Sequence, residues 1–331
     1  MKYGFLGKTK VEISSMGLGC WAFAGGSYWG NQEEQDSINT IMAAMEAGIN
    51  FFDTAEMYGD GKSEEVVGKA LQHCRDKAVI ATKAASANLS AGKLIEACEQ
   101  SLKRLKTDYV DLYQIHWPNR SVPFEETAKA MEQLLQQGKV RALGVCNFGV
   151  QDMEAINKIA NVITNQLPYS LLWRAIEDEI VPQCIKNDAG ILCYSPLSQG
   201  LLTGKYKSPD EVPLGITGTR FYSHERSNAR HGELGLETET FEAISWIKKI
   251  CENMGESMGN VSIAWLLKQK GVASVLVGAR VPTQLRENIK AADIDLSNNV
   301  LRELSTATDV LKRKVGNNPD MWEGALKSRF Q

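Results

Sequence analysis

The sequence predicts an α/β fold: a (β/α)8 (TIM) barrel with an N-terminal β-hairpin and a long loop after its seventh strand. Three observations predict it. Eight short apolar runs recur along the 331 residues. Helical patterns follow nearly all of them. Polar or titratable residues close run after run on the C-terminal side. Strands buried on both faces of a parallel sheet read as unbroken aliphatic runs. Parallel strands joined by helices make an open sheet or a closed barrel, and eight repeats in one chain of this size favour the barrel.

Each element has its own signature. The opening "MKYGFLGKTKVEISS" has a hairpin pattern with Gly7-Lys8 at its turn, placed to plug the bottom of a barrel. The strand runs are "SMGLGCW", "INFFDT", "AVIATK", "YVDLYQIHW", "VRALGVCN", "VITNQ", "ILCYSP" and "SVLVGA". Between the first two, Ile38, Ile41, Met42 and Met45 share helical spacing and Gly48 is a stop. In "SAGKLIEACEQSLKRLKT", Leu94, Ile95, Cys98, Leu102 and Leu105 share a face and Ser90 is a candidate N-cap. "PFEETAKAMEQLLQQG" opens on proline and acids and ends on Gly138. "VSIAWLLKQKG" and "TQLRENIKAA" continue the habit. Residues 205–237 break the rhythm with a long, polar, glycine-rich stretch, which predicts a lid or a disordered segment. Residues 311–331 form a tail with Trp322. No linker composition divides the chain, so a single domain over 1–331 is expected.

Composition narrows the function. The chain is 43% hydrophobic and 23% charged, with a net charge of −3, as an ordinary globular protein is. No basic stripe accumulates, which argues against a nucleic-acid partner. No run approaches ~18 apolar residues, so no membrane span is expected. The start lacks an apolar signal core, and a cytoplasmic protein is the expectation. The 7 cysteines are scattered without a C-x-x-C, which argues against disulfides and zinc and for reduced thiols.

The strand ends carry the chemistry. They are Gly19-Cys20-Trp21, Asp53, Lys83, His116-Trp117, Cys146-Asn147, Asn165-Gln166, Tyr194-Ser195 and Gly278-Ala279-Arg280. In a barrel these ends converge on one mouth, where active sites are built. Tyr58 follows the second strand within a short loop, so Asp53, Tyr58, Lys83 and His116 can share a pocket. Taken singly, each has an ordinary role: a turn cap for Asp53, a solvated strand end for Lys83, a core position for His116, packing for Tyr58. Taken together, they make a proton donor for a carbonyl. An ammonium lowers the pKa of a phenol, a carboxylate holds the ammonium, and a neutral imidazole donates a hydrogen bond to the carbonyl oxygen.

A second signal is late. "YSPLSQGLLTGKY" and "VGARVPTQLREN" follow strands seven and eight, where barrels frequently bind phosphate. Glycine-rich turns and helix N-termini suit anions, with Lys205 and Arg280 adding charge. No G-x-G-x-x-G opens a helix after an early strand, so a Rossmann nucleotide site is poorly supported.

At these residues the sequence resembles the aldo-keto reductase superfamily. The likeness runs from "MGLGCW" through the eighth strand and its helix. It is carried by "FFDTAEMYGDGKSEEVVGKAL", "LKRLKTDYVDLYQIHWP", "GKVRALGVCNF", "YSPLSQGLLTGK" and "VLVGARVPTQLRENIKA". The long-loop pattern is similar to the bacterial general stress and inositol-associated members and the potassium-channel β-subunit branch. The resemblance implies a barrel that binds NADPH/NADP without a Rossmann motif. It implies a catalytic tetrad of Asp53, Tyr58, Lys83 and His116, with Tyr58 as general acid and hydride passing from the nicotinamide to an aldehyde or ketone carbon. It assigns Asn147 and Gln166 to the carboxamide and Tyr194 to stacking on the nicotinamide, with Gly19, Cys20, Trp21, Asp53 and Cys146 also lining the cofactor. It assigns Ser195, Leu197, Gln199, Gly200 and Lys205 to the pyrophosphate. Gly278, Arg280, Gln284, Glu287 and Asn288 go to the adenosine and 2′-phosphate.

One position departs from the pattern. The family usually has serine where this chain has Cys146, and a thiol is the weaker hydrogen-bond partner. Cys146 is either an inert small residue or a redox-sensitive one. Aromatics gather near the expected mouth: Trp21, Phe23, Tyr28, Trp29 and Trp117, with Trp173 and Trp322 as further members. Trp21, Tyr58, His116 and Trp117 are the expected substrate contacts, suited to a small carbonyl compound. Two other readings stay open: an NADP(H)-sensing regulatory subunit with slow turnover, and NADP-dependent oxidation of a sugar or polyol.

Overall fold

A computed structural model describes residues 1–331, the side chain of Ser27 apart. A two-stranded antiparallel hairpin, β1 (Tyr3–Phe5) and β2 (Glu12–Ser14), comes first. Eight parallel strands then close a barrel: β3 (Met16–Gly19), β4 (Phe51–Asp53), β5 (Val79–Ala84), β6 (Leu112–Ile115), β7 (Leu143–Cys146), β8 (Val162–Pro168), β9 (Gly190–Tyr194) and β10 (Val272–Gly278). They neighbour one another in chain order, with β10 closing on β3. All eight predicted strand runs are present.

Strand periodicity explains how the site is built. Phe51, Ala81, Leu112, Leu192 and Leu276 form an apolar cluster inside the lower barrel. Leu6 and Ile13 of the hairpin join it, so the hairpin is the expected plug. Side chains on one face of a strand recur every second residue. Two residues past this layer stand Asp53, Lys83, Gln114, Tyr194 and Gly278. Residues of the opposite parity, Phe52, Ile80, Tyr113, Cys193 and Val277, face the outer core under the helices. The register sets Gly278 beside Gly19 and Gly19 beside Asp53, then steps by two, with Asp53 beside Ala81 and Lys83 beside Gln114. Gly17 keeps the lower layer tight, because a Cβ there would meet Leu276 and Phe51 at 2.8 Å each.

The helices are amphipathic as their spacing predicts, with local exceptions. In α1 (Gly26–Trp29) only a single turn forms. In α2 (Glu34–Glu46) the buried face is Ser37, Thr40, Ile41 and Ala44, while Met42 is exposed, so the helix is rotated from the face its aliphatic spacing suggests. Helix α3 covers Lys62–Leu71. Helix α4 (Ala91–Leu105) starts after Ser90, whose side chain makes no cap bond. Instead Glu126 accepts the Ala91 N–H at 2.8 Å. Helices α5 (Phe124–Gln136), α6 (Val150–Asn157), α7 (Ile180–Lys186), α8 (Glu237–Met254), α9 (Met258–Leu267), α10 (Pro282–Asn288) and α11 (Asn298–Val315) complete the ring.

Residues 217–222 at the middle of the long loop are packed, which corrects the expectation of a disordered segment. Arg220 is buried and its guanidinium reaches Glu233 at 2.8 Å, the Asn318 carbonyl at 2.8 Å and the Val315 carbonyl at 3.0 Å. Phe221 meets Trp173 edge to face at 5.2 Å. The loop and the tail thus close on each other through satisfied backbone groups, which a polar sequence conceals. No helix is long and apolar enough to cross a membrane among the described residues.

Candidate active site

The tetrad residues meet at the C-terminal mouth. Lys83 is fully buried and uses all three of its donors. Its Nζ donates to Asp53 Oδ1 at 2.6 Å, to the Thr54 carbonyl at 2.8 Å and to Tyr58 Oη at 3.1 Å. Asp53 is held on its other oxygen by Gln166 Nε2 at 2.7 Å and Gln114 Nε2 at 3.3 Å. Gln114 was not among the residues singled out from sequence. The signal was available, since it alternates with Leu112 and His116 on the inward face.

Because Lys83 donates to Tyr58, the phenol oxygen is an acceptor in that bond. Its own proton is left for a partner in the mouth. The His116 ring stands edge to face against Tyr58 at 5.7 Å. His116 Nδ1 is buried without a hydrogen-bond partner. Trp21 stacks over Tyr58 at 5.8 Å and over Tyr28 at 4.7 Å, with Trp29 edge-on at 5.3 Å.

Charge states follow from burial and neighbours. Burial disfavours a charge on Lys83, but Asp53 and then Tyr58 more than offset it, and the ammonium is held. Burial pushes the Tyr58 phenol up to about 12, against the pull of Lys83. The expectation that Lys83 brings the phenol below its ordinary value is therefore not met. The ammonium acts in the expected direction, but lost solvation outweighs it. Burial and then Lys83 push His116 down to about 3, so its imidazole is neutral. Cys146 is buried, and burial pushes its thiol well up, which supports the inert reading over a reactive thiolate. Cys20 is raised likewise.

The other expected residues fall into two groups. At the mouth, Asn147 donates to the His116 carbonyl at 3.0 Å and accepts from Tyr194 Oη at 2.8 Å. Tyr194 lies parallel to Trp322 at 6.4 Å, and Trp322 meets Trp117 at the same separation. Trp117 also packs on Phe330, with Arg329 3.5 Å above its ring. Trp173 and Phe23 are each 1% exposed and pack into the large core cluster, so neither offers its ring to a ligand.

Along the rim, Ser195, Ser198, Gln199 and Gly200 take φ of 52°, 45°, 55° and 98°. Leu197 lies within this turn and accepts the Gly200 N–H at 2.9 Å. A Cβ at Gly200 would stand 3.3 Å from Lys205 Nζ. Farther round, Arg280 is fastened at its N–H by Gln284 at 2.8 Å, and Asn288 donates to the Gly278 carbonyl at 3.3 Å. Glu287 pairs with Lys290 at 2.6 Å and accepts from Asn260 at 3.3 Å. Among the described residues no three His, Cys, Asp or Glu gather as metal ligands do.

A closed parallel barrel with titratable groups at its strand ends defines the class, a (β/α)8 enzyme scaffold. The sequence profile described as the Aldo/keto reductase family matches residues 15–309, and the chain belongs to this family of oxidoreductases. It is 38% identical to the aldo-keto reductase YhdN of Bacillus subtilis, covering 86% of this chain and 87% of that one. It is 34% identical to the NADH-specific methylglyoxal reductase of Escherichia coli, covering 92% and 98%. Among solved structures, the glycerol dehydrogenase AKR11B4 of Gluconobacter oxydans superposes with a TM-score of 0.80 at 32% identity, covering 96% and 97%. An aldo-keto reductase from Klebsiella pneumoniae in complex with NADPH gives 0.71 at 29% identity, covering 90% and 92%.

Proposed function

We propose that the protein reduces aldehydes or ketones to alcohols with NADPH, and that Tyr58 delivers the proton. The observation that carries this reading is the third donor of Lys83, which rests on Tyr58 Oη at 3.1 Å and turns the phenolic proton toward the mouth. His116, neutral and beside the same ring, donates a hydrogen bond to the carbonyl oxygen and fixes its approach. As the oxygen gains charge it takes the proton from Tyr58, and the phenolate left behind faces an ammonium already in place. Asp53 holds Lys83 throughout, braced by Gln166 and Gln114.

The rim residues fit a dinucleotide. The left-handed turn at Ser198, Gln199 and Gly200 spends the Ser198 and Gly200 N–H groups on the Ser195 and Leu197 carbonyls at 2.9 Å each, so side chains are what this turn offers an anion. Gln199 Nε2 is buried without a partner there, and Lys205 stands beside Gly200. When bound, the nicotinamide supplies a hydride to the carbonyl carbon. Gln166 spends its amide N–H on Asp53 and keeps its oxygen for the carboxamide, while Tyr194 offers its ring. Arg280 favours NADPH by pairing the 2′-phosphate.

Turnover of a panel of aldehydes and sugars, followed in both directions with each coenzyme, tests the reading. Aldehyde reduction that is abolished in Tyr58→Phe supports it. Reduction at the same rate in that variant overturns it.

A further inference from the structure

Arg280 does not stand free at the rim. Its side edge, Nε and the neighbouring NH2, is occupied by the segment before α2. Gln32 Oε1 accepts from Arg280 Nε at 2.8 Å, and the Asn31 carbonyl accepts from NH2. The same Gln32 amide donates from Nε2 to the Arg280 carbonyl at 2.9 Å. One side chain thus grips both the backbone and the guanidinium of a residue 248 positions away. Gln32 is itself fixed: it is 8% exposed, and Nε2 also reaches Ser37 Oγ at 3.1 Å, in the first turn of α2. Gln284 completes the clamp on the Arg280 N–H.

We infer that Gln32 is a positioning residue for coenzyme choice: it presents the end edge of the Arg280 guanidinium to the 2′-phosphate of NADPH. With Nε committed, the donors left to a ligand lie on NH1 and the outer side of NH2, the paired edge that meets a phosphate bidentately. A free arginine loses much rotamer freedom when it binds, and one already clamped loses less. Gln32 touches no part of the mouth chemistry, so its effect falls on the phosphate-bearing coenzyme alone. The inference rests on the NADPH reading above and on Arg280 meeting the 2′-phosphate.

Dissociation constants for NADPH and NADH, measured by quenching of tryptophan fluorescence in the full chain, test it. In Gln32→Leu the constant for NADPH is expected to rise by about five- to tenfold, with NADH changed by less than about twofold. An equal change for both coenzymes overturns the inference. So does tighter NADPH binding, which would mean that Gln32 withholds Arg280 instead of presenting it. If the leucine variant fails to fold, Gln32→Glu replaces it: the carboxylate keeps the bond to Nε and repels the phosphate. A selective loss of NADPH binding then supports the placement, and equal losses overturn it. Arg280→Ala, measured alongside, separates the two layers. If that variant spares NADPH, the 2′-phosphate assignment itself fails. If it weakens NADPH while Gln32→Leu does not, only the role of Gln32 fails.

Discussion

Two buried carboxylates sit at opposite ends of the barrel, and only one of them makes an active-site candidate. Asp111, at the lower end, is 1% exposed. It accepts from Arg75 at 2.7 Å, from Arg141 at 2.9 Å and from the Ile80 N–H at 2.9 Å. The two guanidinium groups lie over the Tyr109 ring at 4.1 and 3.9 Å. Asp53, at the upper end, is matched with one lysine and two amides. The difference lies in what is left over. At the lower end the tyrosine offers the arginines its ring face. At the upper end the lysine keeps a donor for the tyrosine oxygen. A buried ion pair is therefore weak evidence of chemistry; a proton-bearing group hydrogen-bonded to it is stronger evidence.

The comparison breaks most readily at the two tyrosines. Tyr58→Phe is expected to lower kcat for aldehyde reduction by about 10²–10⁴-fold, while Tyr109→Phe leaves it within about twofold. Steady-state kinetics on both folded variants decides this. The acids come next. Asp111→Ala should cost about 3 kcal/mol of stability, because it strands the largely buried Arg75 and the Ile80 N–H while the half-exposed Arg141 turns to water, yet spare the turnover of the molecules that remain folded. Urea unfolding monitored beside activity separates the two effects.

His116 sharpens the contrast through pH. Its ordinary pKa of 6.5 falls to about 3 in the folded protein. Between those values the unfolded chain binds the extra proton, so the neutral imidazole favours folding fully above pH 6.5 and loses that advantage as pH falls toward 3. Wild type should lose stability relative to His116→Gln across that window, by at most about 1.4 kcal/mol per pH unit. Denaturant titrations at several pH values measure it, and parallel curves would refute a buried neutral imidazole. The smallest effect is at Cys146. Cys146→Ser should alter coenzyme affinity by less than about 1 kcal/mol, as replacing a weak donor with a better one does. A thiol reagent should fail to label Cys146 in the native protein.

Much of this was legible in the sequence because the barrel repeats a period of two. Phe51 and Asp53, or Leu112, Gln114 and His116, can be assigned to one face by counting. The placement of Asp53, Lys83 and Tyr58 at one mouth followed from strand ends alone. The net acidity of Tyr58 did not, because it depends on how deeply the hydroxyl is desolvated. The loop and tail were opaque for another reason. Arg220 is read as a surface charge until Val315 and Asn318 supply carbonyls from about a hundred residues away. Gln32 is likewise an ordinary polar residue until Arg280 arrives beside it.

The hairpin at the base has one more consequence. With Leu6 and Ile13 stoppering the lower barrel, only the upper rim leads to the chemistry. Two reactants that meet there share a single doorway. Under the proposed reaction, whichever lies deeper arrives first and departs last, because the packed interior above the hairpin leaves no second way out.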